Sequence, residues 1–383
     1  MKRWLAFLMS LLLVSSVFSQ TVCLAEEAGT EELLVSAKSA VLIDAKSGMV
    51  LYEKNAHEPL PPASITKVMT LLLVAEAIDN GELSLTDTVK ASAHAVSMGG
   101  SQIWLKENEE MTVEDLVKAT AIGSANDASM ALAEHLVGTE EAFVAQMNER
   151  AKELGMENTV FQNPTGLDAD GHVSTAYDIA LMSKELLTHE CVTPYLSIWM
   201  DTLRGGQTQL VNTNKLVRFY NGCIGVKTGT TDGAGSCLSA AAVRNDISLI
   251  SVVMGCSTSA ERFDSARALL NFGFASFVNY TPTTTAESLG TIPVVHGTSE
   301  SVSLSMDVST FLIKKTDQES MTETVSLPET IDAPVKKGQE LGTLTITAGS
   351  ITQKVPIVAA GDVPKMGLWS AICLLFSRTF AFR

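Results

Sequence analysis

The apolar positions change their period several times along the chain. "AVLIDAKSGMVLYEKN" (40–55) gives two β-like runs on either side of Lys46, Ser47 and Gly48, which is a hairpin signal. From Ile65 to Ile78 the chain is apolar almost all round, which predicts a helix in the centre of a domain. "TVEDLVKATAIGSANDASMALAEHLVG" predicts two helices broken around Gly123 to Asn126, and "EEAFVAQMNERAKELGM" and "TAYDIALMSKELLTH" predict one amphipathic helix each. After Asn221 the runs "GVKTG", "CLSAAAV" and "ISLISVVMG" predict strands, with a turn at Arg244, Asn245 and Asp246 and a helix "SAERFDSARALLNFGF" behind them. Strands at both ends with helices between predict an α+β domain over 32–277, an antiparallel sheet whose two chain ends meet and on which the helices pack.

The pattern then shifts. "VNYTPTTTAES" (278–288) is rich in Thr and reads as a linker. Beyond it Val302, Leu304, Met306 and Val308 alternate with polar residues, as do Leu344 and Ile346, with Gly and Pro between and no helical pattern. This predicts a small all-β domain over 288–362. At the front, Lys2 and Arg3, an apolar run from Trp4 to Phe18 and small residues near Ala25 read as a signal peptide over 1–25. Cys23 follows Val22, which lacks the small side chain of a lipoprotein cleavage site. At the end, "PKMGLWSAICLLFSRTFAFR" (364–383) places Leu368, Trp369, Ile372, Leu375, Phe376 and Phe380 on one face opposite Ser370, Ser377 and Arg378. That predicts an amphipathic helix lying in a membrane surface rather than crossing it.

Size and charge narrow the field. At 383 residues the chain exceeds the roughly 250–300 at which one core stops growing, so more than one domain is expected. A formal charge of -16 without a basic stripe excludes nucleic acid as a partner, because phosphate binding needs clustered Lys and Arg. Cys191, Cys223, Cys237, Cys256 and Cys373 match no zinc spacing and read as buried free thiols, with a disulfide between two of them left open.

Three short motifs carry the chemistry. "SITK" sets Ser64 three positions before Lys67, "GSAND" supplies Ser124 and Asn126, and "GVKTGT" supplies Lys227, Thr228, Gly229 and Thr230. The first pair alone recurs by chance, and Ser124 alone would serve as a helix N-cap. All three in this order form a serine acyl-transfer constellation. Side chains three apart on a helix share a face, so the Lys67 amine can reach the Ser64 hydroxyl. Acting as a base near neutral pH asks the lysine to lose roughly 3 units of pKa, and burial and a second cation at Lys227 both push that way. Ser124 would relay a proton to the leaving nitrogen and Asn126 would bind the substrate amide. Lys227 and Thr228 would hold a free carboxylate, and Gly229 would let a substrate strand approach. The backbone N–H groups of Ser64 and Thr230 are the natural oxyanion donors.

With these motifs, and with "GGSQIWLKENEEMTVEDLVKATAIGSANDASMALAEHLVG", "NTVFQNPTGLDADGHVSTAYDIA", "TNKLV" and "GVKTGTTDGAGSCLSAAA", the chain resembles the low-molecular-weight penicillin-binding proteins, the serine-type D-alanyl-D-alanine carboxypeptidases. The resemblance implies a DD-peptidase and β-lactamase fold followed by a β-rich domain and an amphipathic anchor. It also implies acylation of Ser64 by the peptidoglycan stem pentapeptide, release of D-alanine, hydrolysis by water, and covalent inhibition by β-lactams. No metal or organic cofactor is implied, and the location would be the outer face of the cytoplasmic membrane, on the cell-wall side. Thr230 stands where the family often has His or an aromatic, and Thr165 replaces a frequent His. A class A-like β-lactamase would add a Glu between the second and third motifs, where "NPTGLDADGHVSTAYD" offers Asp168, Asp170 and Asp178 instead. A non-catalytic wall-binding protein would have lost Ser64 or Lys67.

Overall fold

The computed structural model describes residues 33–307, 310–349 and 351–367. The signal-like segment 1–25, Val308 and nearly all of the amphipathic tail lie outside the described residues. The chain divides after Leu34, and both major sheets belong to the unit that begins at Val35.

A five-stranded antiparallel sheet is built from β1 (Ser39–Asp44), β2 (Val50–Lys54), β3 (Cys223–Thr231), β4 (Gly235–Arg244) and β5 (Ile247–Cys256), in the order β2-β1-β5-β4-β3. The chain ends of the predicted domain meet where β1 pairs with β5, Val41 opposite Val252. All six residues of β1 are buried, because helices cover both faces. On one face Val41, Ile43, Ile250 and Val252 join a core with the Lys67–Asp79 helix. On the other, the Ser259–Ser276 helix comes close enough at Gly273 that a Cβ there would lie 2.5 Å from Leu249 and 2.9 Å from Leu42. The Lys67–Asp79 helix buries 10 of its 13 residues, which is why its sequence shows no polar face. Strand turns follow their residues: Gly48 has φ +80°, and Asn245 and Asp246 have φ +48° and +62°, the left-handed pair of a tight hairpin.

The second sheet has six strands and a core of Ile292, Val294, Val302, Leu304, Leu344, Ile346, Val355 and Ile357. Two expectations are corrected here. The Thr-rich segment is not a free linker: Phe277–Tyr280 is a strand paired with Phe311–Lys314, and Ala286–Leu289 is a helical turn. Between them the Glu323 carboxylate accepts Thr283 N–H (2.8 Å) and Thr284 N–H (2.9 Å) together with the hydroxyls of Tyr280, Thr283 and Thr284. Burial alone would raise its pKa, but these donors hold it at about 2. A 3-10 turn at Lys315–Ser320 also interrupts the all-β pattern. Among the described residues no helix is long and apolar enough to cross a membrane. Cys191, Cys223, Cys237 and Cys256 are free thiols, and burial pushes all four up in pKa, Cys256 to about 12.

Candidate active site

Ser64 lies in a 3-10 turn, Ala63–Thr66, which runs straight into the Lys67–Asp79 helix. Residues i and i+3 eclipse in such a turn, and Lys67 Nζ sits 3.1 Å from Ser64 Oγ. The turn is gripped from two sides. Ala63 is held at φ +50°, its carbonyl against Gly166, where a Cβ would lie 1.9 Å from the Ala63 oxygen. A Cβ at Gly229 would lie 3.0 Å from the Ala63 Cβ and 3.1 Å from the Ser64 nitrogen, so β3 runs directly beside the nucleophile.

Lys67 is completely buried. Its Nζ also donates to Asn126 Oδ1 (2.5 Å) and to the Thr165 carbonyl (2.5 Å). Desolvation first, then the Lys227 charge, drive its pKa well below the ordinary lysine value against the opposing pull of Asp127. A neutral amine has two N–H groups and one lone pair. In that form, with Asn126 and Thr165 taking the two N–H groups, the lone pair would face the Ser64 hydroxyl.

The second motif opens the Asn126–Val137 helix. Its N-cap position is Ala125, with no side-chain cap, so Ser124 is not the cap its sequence position allowed. Ser124 stands at φ +62°, is 4% exposed, and makes no hydrogen bond through its hydroxyl among the described residues. Asn126 is fixed by its backbone N–H to Ser101 O (2.7 Å) and its amide to Gly99 O (2.7 Å).

On β3, Lys227 is 1% exposed and donates only to its neighbour's carbonyl, Thr228 O, at 3.2 Å. Burial, then the adjacent Arg262 charge, bring its pKa to about 7. The Thr228 hydroxyl donates to Thr213 (2.6 Å), and Thr230 donates to Gly229 O (2.8 Å). The structure thus brings Ser64, Lys67, Asn126, Lys227, Thr228, Gly229 and Thr230 together, with Ser124 at the same helix end as Asn126.

Five contributors were given no role by the sequence reading. Arg262, from the Ser259–Ser276 helix, donates to Gly229 O (2.9 Å) and Thr230 Oγ1 (2.7 Å), while its buried Nε–H has no partner among the described residues. Thr230, the departure from the family habit, is what anchors that guanidinium. Asp127 receives Ile103 N–H (3.1 Å) and Leu105 N–H (3.0 Å), which shapes the loop beside Asn126. The 163–166 loop supplies the Thr165 carbonyl and Gly166, and Asn163 Oδ1 folds it by accepting Thr165 N–H (3.1 Å) and Gly166 N–H (2.7 Å). Asp127, Asn163, Thr165 and Gly166 lie inside quoted motifs, and Thr165 was noted there, but none was given a role. The two buried or bonded acids of the intervening region have structural partners: Asp168 accepts Thr231 Oγ1 (2.6 Å) and Asp178 accepts Thr159 Oγ1 (2.8 Å). Glu76, Glu185 and His189 lie close enough together to suggest a cation site, but the Arg150 guanidinium already bridges Glu76 (2.7 Å) and Glu185 (3.0 Å).

Comparison with known proteins gives the same picture. Residues 9–258 match the D-alanyl-D-alanine carboxypeptidase family, peptidase S11, and residues 277–365 match the penicillin-binding protein 5 C-terminal domain. D-alanyl-D-alanine carboxypeptidase DacF of Bacillus subtilis is 44% identical over 344 residues, 88% of each chain. The crystal structure of penicillin-binding protein 5 from Haemophilus influenzae superposes with a TM-score of 0.80 at 30% identity, covering 87% of this chain and 98% of that one. Penicillin-binding protein D2 from Listeria monocytogenes, in its ampicillin-bound form, gives 0.58 at 36% identity over 63% of this chain and 99% of that one. With the serine, lysine and glycine strand in one buried site and both parts of the chain matched, the chain belongs to the peptidase S11 family of D-alanyl-D-alanine carboxypeptidases.

Proposed function

We propose that the carboxypeptidase reaction of this chain runs through an acyl-enzyme on Ser64, with the peptidoglycan stem pentapeptide as substrate. The observation that carries it is the Lys67 amine, with both N–H groups engaged and Ser64 Oγ at 3.1 Å. Ser64 Oγ attacks the carbonyl of the penultimate D-alanine and its proton passes to Lys67. The N–H groups of Ser64 and Thr230 receive the oxyanion. Ser124 relays the proton from Lys67 to the leaving nitrogen, the C–N bond breaks, and D-alanine departs. Water then adds to the ester, giving its proton to Lys67, and the Ser64–carbonyl bond breaks to restore the hydroxyl. Asn126 binds the substrate amide, while Lys227 and Thr228, backed by Arg262, hold the terminal carboxylate. β-Lactams present a carbonyl and a carboxylate in the same relation and would acylate Ser64 without rapid release.

The test is cleavage of the terminal D-Ala–D-Ala bond in diacyl-Lys-D-Ala-D-Ala, read as released D-alanine, and in its C-terminal amide, read as released D-alaninamide. The wild-type chain is expected to release D-alanine from the acid, and Ser64→Ala to release none. Lys227→Ala should lose roughly 10² in kcat/KM on the acid and much less on the amide, since deleting one partner of a charged hydrogen bond costs about 2–3 kcal/mol. Equal losses on the two substrates would remove Lys227 from carboxylate binding. The charged form of Lys227 is what attracts the acid, so the acid-over-amide preference should fall as pH rises through about 7 in the free enzyme.

We assign residues 1–25 to export, 32–277 to catalysis, 288–362 to a β-rich spacer, and 364–383 to a membrane-surface helix, with the enzyme acting in cell-wall maturation. What supports the anchor is the apolar face of the tail, with Lys365, Arg378 and Arg383 as its only charges. A chain ending at Asp362 is expected in the soluble fraction after cell breakage, and the full chain with the membranes; membrane recovery of the shortened chain would dismiss the anchor.

A further inference from the structure

A groove of about 880 Å3 that the reaction chemistry does not use lies between the 103–109 segment and the Met200–Leu203/Thr208–Val211 hairpin. Trp104 lines it, 74% exposed and held at φ +58°. A bulky side chain in the left-handed region costs energy that a surface position without a role would not retain. The cause is local. Ile103 and Leu105 are both buried, and their N–H groups clamp the two oxygens of the Asp127 carboxylate, so the residue between them is turned outward. The opposite wall is polar. Arg204 donates to Ile103 O (2.9 Å), Thr208 Oγ1 (2.8 Å) and Glu109 (2.6 Å), which ties the hairpin to the 103–109 segment. Asn108, Gln207 and Gln209 add amides along the same groove.

We propose that this groove binds the N-acetylated amino-sugar glycan to which the stem peptide is attached. An exposed indole face matches the C–H face of a pyranose ring, and the Asn108, Gln207 and Gln209 amides match hydroxyls and acetamido carbonyls. Four residues separate the glycan from the scissile bond, roughly 14 Å when extended. Trp104 is three residues along the chain from Ser101, whose carbonyl holds Asn126 2.7 Å away, and Asn126 in turn lies 2.5 Å from Lys67. The groove is thus walled by the same segment that, through Ser101, holds Asn126 in the site. This inference rests on peptidoglycan being the substrate and adds a specificity site to that reading.

The test compares kcat/KM for D-alanine release from the free pentapeptide and from the same peptide carried on N-acetylglucosaminyl-N-acetylmuramic acid, using the wild-type chain, Trp104→Gly and Trp104→Phe. The wild type is expected to prefer the glycosylated substrate about tenfold, on the scale of a truncated Trp anchor. Trp104→Gly, which also relieves the left-handed backbone, should bring the ratio close to one while leaving the free-peptide rate unchanged, and Trp104→Phe should keep most of the preference. A wild-type ratio near one, or a ratio that Trp104→Gly leaves intact, overturns the proposal. Calorimetric titration of the Ser64→Ala chain with peptide-free glycan decides the groove independently of turnover: binding that Trp104→Gly abolishes supports it, and no binding overturns it. If the free pentapeptide is not cleaved at all, the substrate reading fails while the titration still reports on the groove.

Discussion

Lys67→Ala is expected to slow the covalent labelling of Ser64 by penicillin by roughly 10² to 10⁴, the range a positioned general base supplies, or about 3–5 kcal/mol of barrier. The size of the effect comes from the closed geometry around the amine. Its two hydrogen-bond acceptors, Asn126 Oδ1 and Thr165 O, are at 2.5 Å and leave Ser64 as the third neighbour. No other described residue donates to or accepts from Ser64 Oγ, so no substitute base is at hand. The fold should survive: removing a buried lysine also removes its desolvation penalty, which offsets the two acceptors left without a donor. Labelling at a near wild-type rate would remove Lys67 from the proton-acceptor role.

The second large effect is expected at Gly166. Its φ of +80° costs a side chain about 1–2 kcal/mol by itself, and an added Cβ would overlap the Ala63 carbonyl, 1.9 Å away. That carbonyl is backbone and cannot swing aside, so the 163–166 loop and the nucleophile turn must part. Gly155 provides the control, with φ +74° and nothing within 4 Å of its Cβ position. Gly155→Ala should show only the conformational cost. Gly166→Ala should lose several kcal/mol more, lowering Tm by roughly 2–4 °C for each, and should also acylate about 10²-fold more slowly because Ser64 shifts. Calorimetry and penicillin labelling of both variants check this; equal behaviour of the two would show that the loop does not set the position of Ser64.

These two positions differ in how far the sequence reveals them. Lys67 was legible because its partner Ser64 is three residues away and the later motifs narrow the chemistry. The loop that holds Lys67 was not, because the Thr165 carbonyl lies 98 positions along and a backbone acceptor leaves no mark on residue type. Arg262 was missed for a related reason: an arginine on a helix reads as solvated, and only the packing of that helix on the sheet brings it to Gly229 and Thr230. The Thr-rich 278–288 segment misled in the opposite direction. Its composition is that of a linker, but one carboxylate, Glu323, some 40 positions away, accepts its donors and orders it.

By itself, then, the sequence determined the elements and the reactive residue types. Alternation and helical period are local, set by which side chains must leave water, and the Ser64, Lys67 and Lys227 triplets carry their chemistry in residue identity. Only the tertiary structure decided the state of that chemistry: that Lys67 is buried and its pKa lowered, that the Arg262 charge acts on Lys227, that Gly166 and Gly229 close on Ala63, and that Trp104 turns outward. Charge, burial and close approach depend on groups far apart in the chain, and they acquire values only when the fold brings those groups into one low-dielectric site.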